Sequence, residues 1–118
     1  MPLDVNGVSF EEMRQVLNAA RGGEGPCNVT VILHSFSFVK AYNVQYEKMS
    51  PRRHVIRRFE KLCRFLAENA GDFQVRTLSG LTRNDLVDMA RERRDVFPRV
   101  PAYFSLARFG GQLWDRVL

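Results

Sequence analysis

The sequence predicts an α/β protein with parallel strands, in the order helix, strand, helix, strand, helix, helix. Three observations predict it. An uncharged, β-branched and aliphatic run stands at 29–33, of the kind a sheet buries on both faces. Segments with helical periodicity lie before and after that run, so it belongs to a layered fold and not to a hairpin. A shorter strand-like run follows at 73–78, and two strands joined by a long helix pair in parallel as a βαβ unit.

The first helix is marked at its start, where Ser9 can cap it and Glu12 stands three residues on, the spacing of a reciprocal capping box. Phe10, Met13, Val16, Leu17 and Ala20 recur at helical spacing, and Glu11, Arg14, Gln15 and Asn18 take the other side. The glycine- and proline-rich stretch 21–26 ends the helix. The strand that follows delivers His34 at its C-terminal edge, where α/β folds place ligands and catalysis. A histidine at a strand end is also commonly satisfied by a neighbouring carbonyl, so position alone leaves both roles open.

The connection 36–49 is long for a compact domain, and a long connection often covers a site. Its aromatic residues, Phe36, Phe38, Tyr42 and Tyr46, either pack the loop down or stack on a sugar ring or base. Ser50 and Pro51 suit a helix start, and that helix runs to about residue 70, where Gly71 stops it. Val55, Phe59, Leu62 and Leu66 form its apolar stripe, widened by Ile56, Cys63 and Phe65. Its other side carries Arg52, Arg53, Arg57, Arg58, Lys61 and Arg64. Such a face serves a nucleic acid or another polyanion, or is simply a solvated outer surface.

Thr82 with Asp85 opens a third helix whose apolar side is Leu86, Val87, Met89 and Ala90. Residues 97–101 form a stiff extended connector, and 105–118 an amphipathic C-terminal helix with Leu106, Phe109, Leu113, Trp114 and Val117 at roughly helical spacing. Two strands are too few for a parallel sheet. Further strands in the connectors, a partner chain or the rest of a larger protein must supply the others, and a homo-oligomer pairing the open strand edges is one solution.

The 118 residues fit a single domain, 1–118, with an ordinary 45% hydrophobic and 26% charged content. The formal charge of +5 favours acidic partners such as phosphate, nucleic acid, anionic lipid or anionic glycan. Two cysteines, Cys27 and Cys63, have neither CxxC spacing nor the density of a disulfide scaffold, and read as free thiols. No stretch approaches the length of a transmembrane segment, and Asp4 and Asn6 stand where a secretory signal would be basic and apolar. The expected address is therefore cytoplasmic. His34 and His54 form no HxxxH or HExxH pattern, and there is neither a phosphate-cradling glycine loop opening a helix nor a G-x-S-x-G elbow.

Four stretches, VSFEEM at 8–13, VTVILHS at 29–35, RFEKL with FL at 58–66, and FQVRTLSGL at 73–81, together resemble the C-terminal third of the polysaccharide deacetylase family. The resemblance covers residues 8–90 and implies a partial parallel β/α barrel-like layer. It implies hydrolysis of N- or O-acetyl groups on a carbohydrate substrate, with Leu33 lining the acetyl pocket and His34 as the catalytic acid. A histidine suits that role because an imidazolium can donate a proton to the departing amine near neutral pH. Ser35, Phe36 and Tyr42 would stand at the same rim and touch the substrate. The resemblance also implies a divalent metal, zinc or similar, to activate the attacking water. The Asp-Asp pair and H-x-x-x-H helix that hold it in the family have no counterpart here. The chain then reads as an incomplete deacetylase, its partner the missing N-terminal part, with no cofactor held by its own residues. The alternative is a non-catalytic basic module for nucleic acid or anionic glycan.

Overall fold

The capping box at Ser9 forms and starts the first helix. In the computed structural model, which describes residues 3–23, 27–34, 36–45, 47–91 and Tyr103, Ser9 Oγ accepts from the Glu12 N–H at 3.3 Å. The Glu12 carboxylate accepts in turn from the Ser9 N–H at 2.8 Å. Helix α1, Phe10–Arg21, buries Met13, Val16, Leu17 and Ala20 as its periodicity predicts.

This helix joins two short parallel strands, β1 (Leu3–Asp4) and β2 (Val31–Ile32), in a register that sets Leu3 beside Val31 and Asp4 beside Ile32. The parallel partner of the 29–33 run is thus the N-terminal segment and not 73–78. Residues 73–77 form no strand, and Leu78–Gly80 is a single 3₁₀ turn. The reason is local. The Phe73 N–H bonds back to the Asn69 carbonyl, and its ring lies 5.8 Å from Phe65. The chain therefore leaves the second long helix hugging its end, and Gln74, Val75, Arg76 and Thr77 are left exposed.

The 29–33 run also departs from burial on both faces. Val31, Ile32 and Leu33 are 38%, 37% and 38% exposed, because among the described residues β2 has a strand on one edge only.

The connection after β2 folds into a hairpin of β3 (Val39–Ala41) and β4 (Met49–Pro51), which pair antiparallel with Lys40 opposite Ser50. Asn43 Oδ1 closes its turn by accepting from the Glu47 and Lys48 N–H groups at 2.9 and 3.4 Å. Strands in the connectors were one of the three ways to complete the sheet, yet these make a separate one. Pairing draws Ser50 and Pro51 into β4, so they do not cap a helix. Helix α2 begins later, at Arg53–Glu68, with Arg52 at its cap and no side-chain cap bond. Its far end closes on Asn69, whose backbone N–H and Nδ2 both donate to the Phe65 carbonyl.

The core lies among β1, α1 and α2: Leu3, Val5, Met13, Val16, Leu17, Val55 and Leu62 are buried together, with Phe59, Phe65, Leu66 and Phe73 at the margin. Cys63, assigned to the apolar side of α2, is exposed; Cys27 is half-buried, and both are free thiols. Arg21 ties the two helix ends by donating to Asn69 Oδ1 at 3.0 Å and Asp72 Oδ2 at 3.1 Å. Helix α3, Arg83–Arg91, follows. Its expected apolar side is not sunk into the core: Leu86, Val87 and Ala90 are exposed and Met89 is half-buried. The connector at 97–101 and the helix at 105–118 lie outside the described residues. No helix among the described residues is long and apolar enough to cross a membrane.

Candidate functional site

Because β1 and β2 run parallel, their C-terminal ends open on the same edge, and the segments that follow them meet there. Asn6 follows β1 and Ser37 follows β2; Asn6 Nδ2 donates to Ser37 Oγ at 2.7 Å. Ser37 is buried, and its hydroxyl also accepts from the His34 N–H at 3.0 Å. The Ser37 N–H in turn donates to the His34 carbonyl at 2.9 Å. The turn carrying His34 is therefore closed on itself twice and moored once to the neighbouring segment.

That segment is held in turn. The Asn6 N–H donates to Asp4 Oδ1 at 2.9 Å. From α2, the Arg58 guanidinium donates to the Val5 carbonyl at 2.6 Å and the Asn6 carbonyl at 3.0 Å. Such charge-assisted bonds are the strong kind, about 1.5–3 kcal/mol each. Arg58 is thereby a clamp on the site, which removes it from the outer basic face where sequence periodicity placed it.

His34 itself stands exposed at the strand end, its ring stacked on Phe36 with centroids 5.8 Å apart and planes 8° from parallel. The imidazole is free to meet a solute while its backbone is fixed. Leu33 precedes it, just past the end of β2. His34 and Phe36 are thus brought together, no described contact joins Leu33 to either ring, and Ser35 lies outside the described residues. Tyr42 stands on the hairpin, more than half exposed, with Lys40 Nζ 5.2 Å from its ring centre and its hydroxyl accepting from Ser50 Oγ at 3.0 Å. No described contact joins it to His34. The aromatic loop divides between its two readings: Phe38 packs on Phe59 at 5.4 Å, and Phe36 and Tyr42 stay at the surface. Tyr46 lies outside the described residues.

Two site residues escape sequence reasoning, Asn6 and Ser37, and Arg58 is singled out only as part of the basic face. Asn6 sat in a stretch read only for its lack of a signal peptide, and Ser37 looked like any loop serine. The one available hint was that Arg58 adjoins Phe59 on the apolar stripe, so that its stem starts near the core.

On the outer side of α2, Arg53, Arg57, Lys61 and Arg64 are exposed, and Arg52 is half-buried at the helix start. Between α1 and α2 lies an open groove of about 290 Å³ lined by Phe10, Arg14, Lys61, Arg64, Phe65 and Glu68. Phe10 and Phe65 meet edge to face at 6.3 Å, and Lys61 Nζ lies 6.0 Å from the Phe10 ring centre.

The described residues offer no metal site. No group of three His, Cys, Asp or Glu among the described residues could hold an ion, and His34 and His54 stand on different elements, a strand end and the first turn of α2. Comparison of the chain with family models, with curated proteins and with solved structures returned no match.

Proposed function

We propose that this chain carries the acid-bearing part of a carbohydrate deacetylase, with His34 as the proton donor, and that the residues that would hold a divalent metal belong to a separate N-terminal part of such an enzyme. One observation carries the reading: an exposed imidazole stands at the C-terminal end of a parallel strand, on a backbone turn fixed by three hydrogen bonds. α/β folds place their chemistry at that edge. As the acyl C–N bond breaks, its electron pair stays on nitrogen, and an imidazolium at this position donates its proton to the leaving amine. Leu33 offers an apolar surface for the acetyl methyl, and the exposed ring of Phe36 a face for a sugar. The parallel β1–α1–β2 unit is consistent with a portion of a β/α barrel wall whose next strand would lie along the open edge of β2.

The test is a nuclear magnetic resonance titration of the full chain with an N-acetylglucosamine oligosaccharide. Shifts centred on Leu33, His34 and Phe36, lost in His34→Ala, are expected; their absence at millimolar sugar removes the proposal. In an assembly that includes the metal-bearing portion, His34→Ala should lower acetate release by about 10²–10⁴-fold, the usual worth of a general acid.

The groove between α1 and α2 favours a second reading, a binding module for an anionic polymer. Lys61 and Arg64 line the groove, Arg53 and Arg57 extend the exposed charge along α2 beyond it, and affinity should then fall steeply with salt. Titration shifts confined to these residues, weakened by Arg57→Glu and Arg64→Glu, would select this reading over the first.

A further inference from the structure

Arg58, Asn6 and Ser37 form one connected device that ends at His34. The guanidinium of Arg58 fixes the Val5 and Asn6 carbonyls, the Asn6 amide reaches Ser37 Oγ, and that oxygen receives the His34 N–H. Five residues, Val5 included, from a helix, a post-strand segment and a turn are thus tied across sequence separations of 31, 52 and 53 residues.

Asn6 is costly to place there. Its Oδ1 is buried without a hydrogen-bond partner among the described residues, which is unfavourable for a desolvated acceptor. Buried polar groups of this kind mark places where local stability yields to another requirement. Here the requirement is the connection to Ser37, since that hydroxyl is the sole described partner of the His34 N–H.

We propose that Arg58, Asn6 and Ser37 are positioning residues for His34, which hold its turn so that the imidazole is presented at the strand edge, stacked on Phe36. The role assigned to the imidazole rests on the deacetylase reading; the positioning itself does not. Arg58 acts at one remove, through Asn6, and touches no substrate. Removing any of the three lets the turn 34–37 relax and frees the ring from Phe36.

The experiment is aromatic-region nuclear magnetic resonance on the full 118-residue chain, read at the His34 and Phe36 ring signals. In Ser37→Ala, Asn6→Ala and Arg58→Met, the His34 and Phe36 ring signals should move toward their unstacked positions. Arg58→Lys, which keeps one donor, should fall between Arg58→Met and the native chain, and Arg57→Met should match the native chain. Methyl signals of Met13 and Leu62 report whether the core is intact. Native His34 signals in folded Ser37→Ala and Asn6→Ala would overturn the proposal. Should Arg58→Met unfold, those two variants decide. A loosened turn in a chain whose sugar response is indifferent to His34→Ala would uphold the positioning and sink the acid role, so the two failures are told apart.

Discussion

α1 opens on Ser9 and Glu12, α3 on Thr82 and Asp85, and both boxes close with the same reciprocal hydrogen bonds. In α3 the Thr82 N–H and hydroxyl each donate to Asp85 Oδ2 at 2.7 Å, and the Asp85 N–H donates to Thr82 Oγ1 at 3.2 Å. Both helices also carry a periodic apolar stripe. Yet α1 buries Met13, Val16, Leu17 and Ala20 against β1 and α2, while Leu86 on α3 is 53% exposed and Val87 41%. A cap settles where a helix starts; it has no say in what the helix packs against. Burial needs a facing surface, and β1 and α2 provide one only to α1.

The comparison can be broken most directly in the two stripes. Leu17→Ala should lower the unfolding free energy by about 2–5 kcal/mol, the range for truncating a buried leucine. Leu86→Ala should change it by no more than about 0.5 kcal/mol, as expected at the surface. Equal losses in a urea melt would show that α3 packs as deeply as α1. A smaller contrast lies in the caps. Ser9→Ala should cost about 1 kcal/mol of global stability. Thr82→Ala should instead show only as faster amide exchange within α3, because a helix outside the core opens locally. If Thr82→Ala lowered the global midpoint as Ser9→Ala does, the two helices would belong to one cooperative unit.

Acidity sharpens the same contrast, with the smallest effect. The Asp85 carboxyl is held below the ordinary carboxylate range by the Thr82 hydroxyl first, then by the Thr82 N–H, and by Arg76, whose guanidinium lies 3.0 Å away; slight desolvation opposes them. A carboxyl lowered by folding contributes stability that is fully present above its unfolded value and is lost as pH falls through the folded one. Backbone carbon shifts of α3 should therefore stay helical through the ordinary carboxylate range and change only below it. A midpoint at the ordinary value would mean that the cap does not form in solution.

The legible part of the fold was local. The capping boxes, the stripes of α1 and α2 and the strand ending in His34 follow from spacing within about a dozen residues, which periodicity reads well. β1 was not legible, because Leu3 and Val5 are too few to show a period, and both owe their burial to helices that arrive later in the chain. The hairpin was missed since Ser50 and Pro51 carry a helix-start signal that strand pairing overrides. Proline fits β4 because an edge strand can spare its N–H. At the site, His34 could be singled out from its place after the strand. Its support could not, since Asn6, Ser37 and Arg58 come together only through contacts spanning 31 to 53 residues.

By itself, the sequence determined an α/β chain with the apolar stripes of α1 and α2, and a histidine at the end of a β-branched run. These depend on backbone propensity and side-chain spacing, which act over one or two turns. Only the tertiary structure decided that the N-terminal segment would be the parallel partner, that one arginine of a basic row would turn inward, and that α3 would stay outside the core. Those outcomes depend on which surfaces and unpaired carbonyls lie within reach once the chain has folded, and no local pattern encodes that distance.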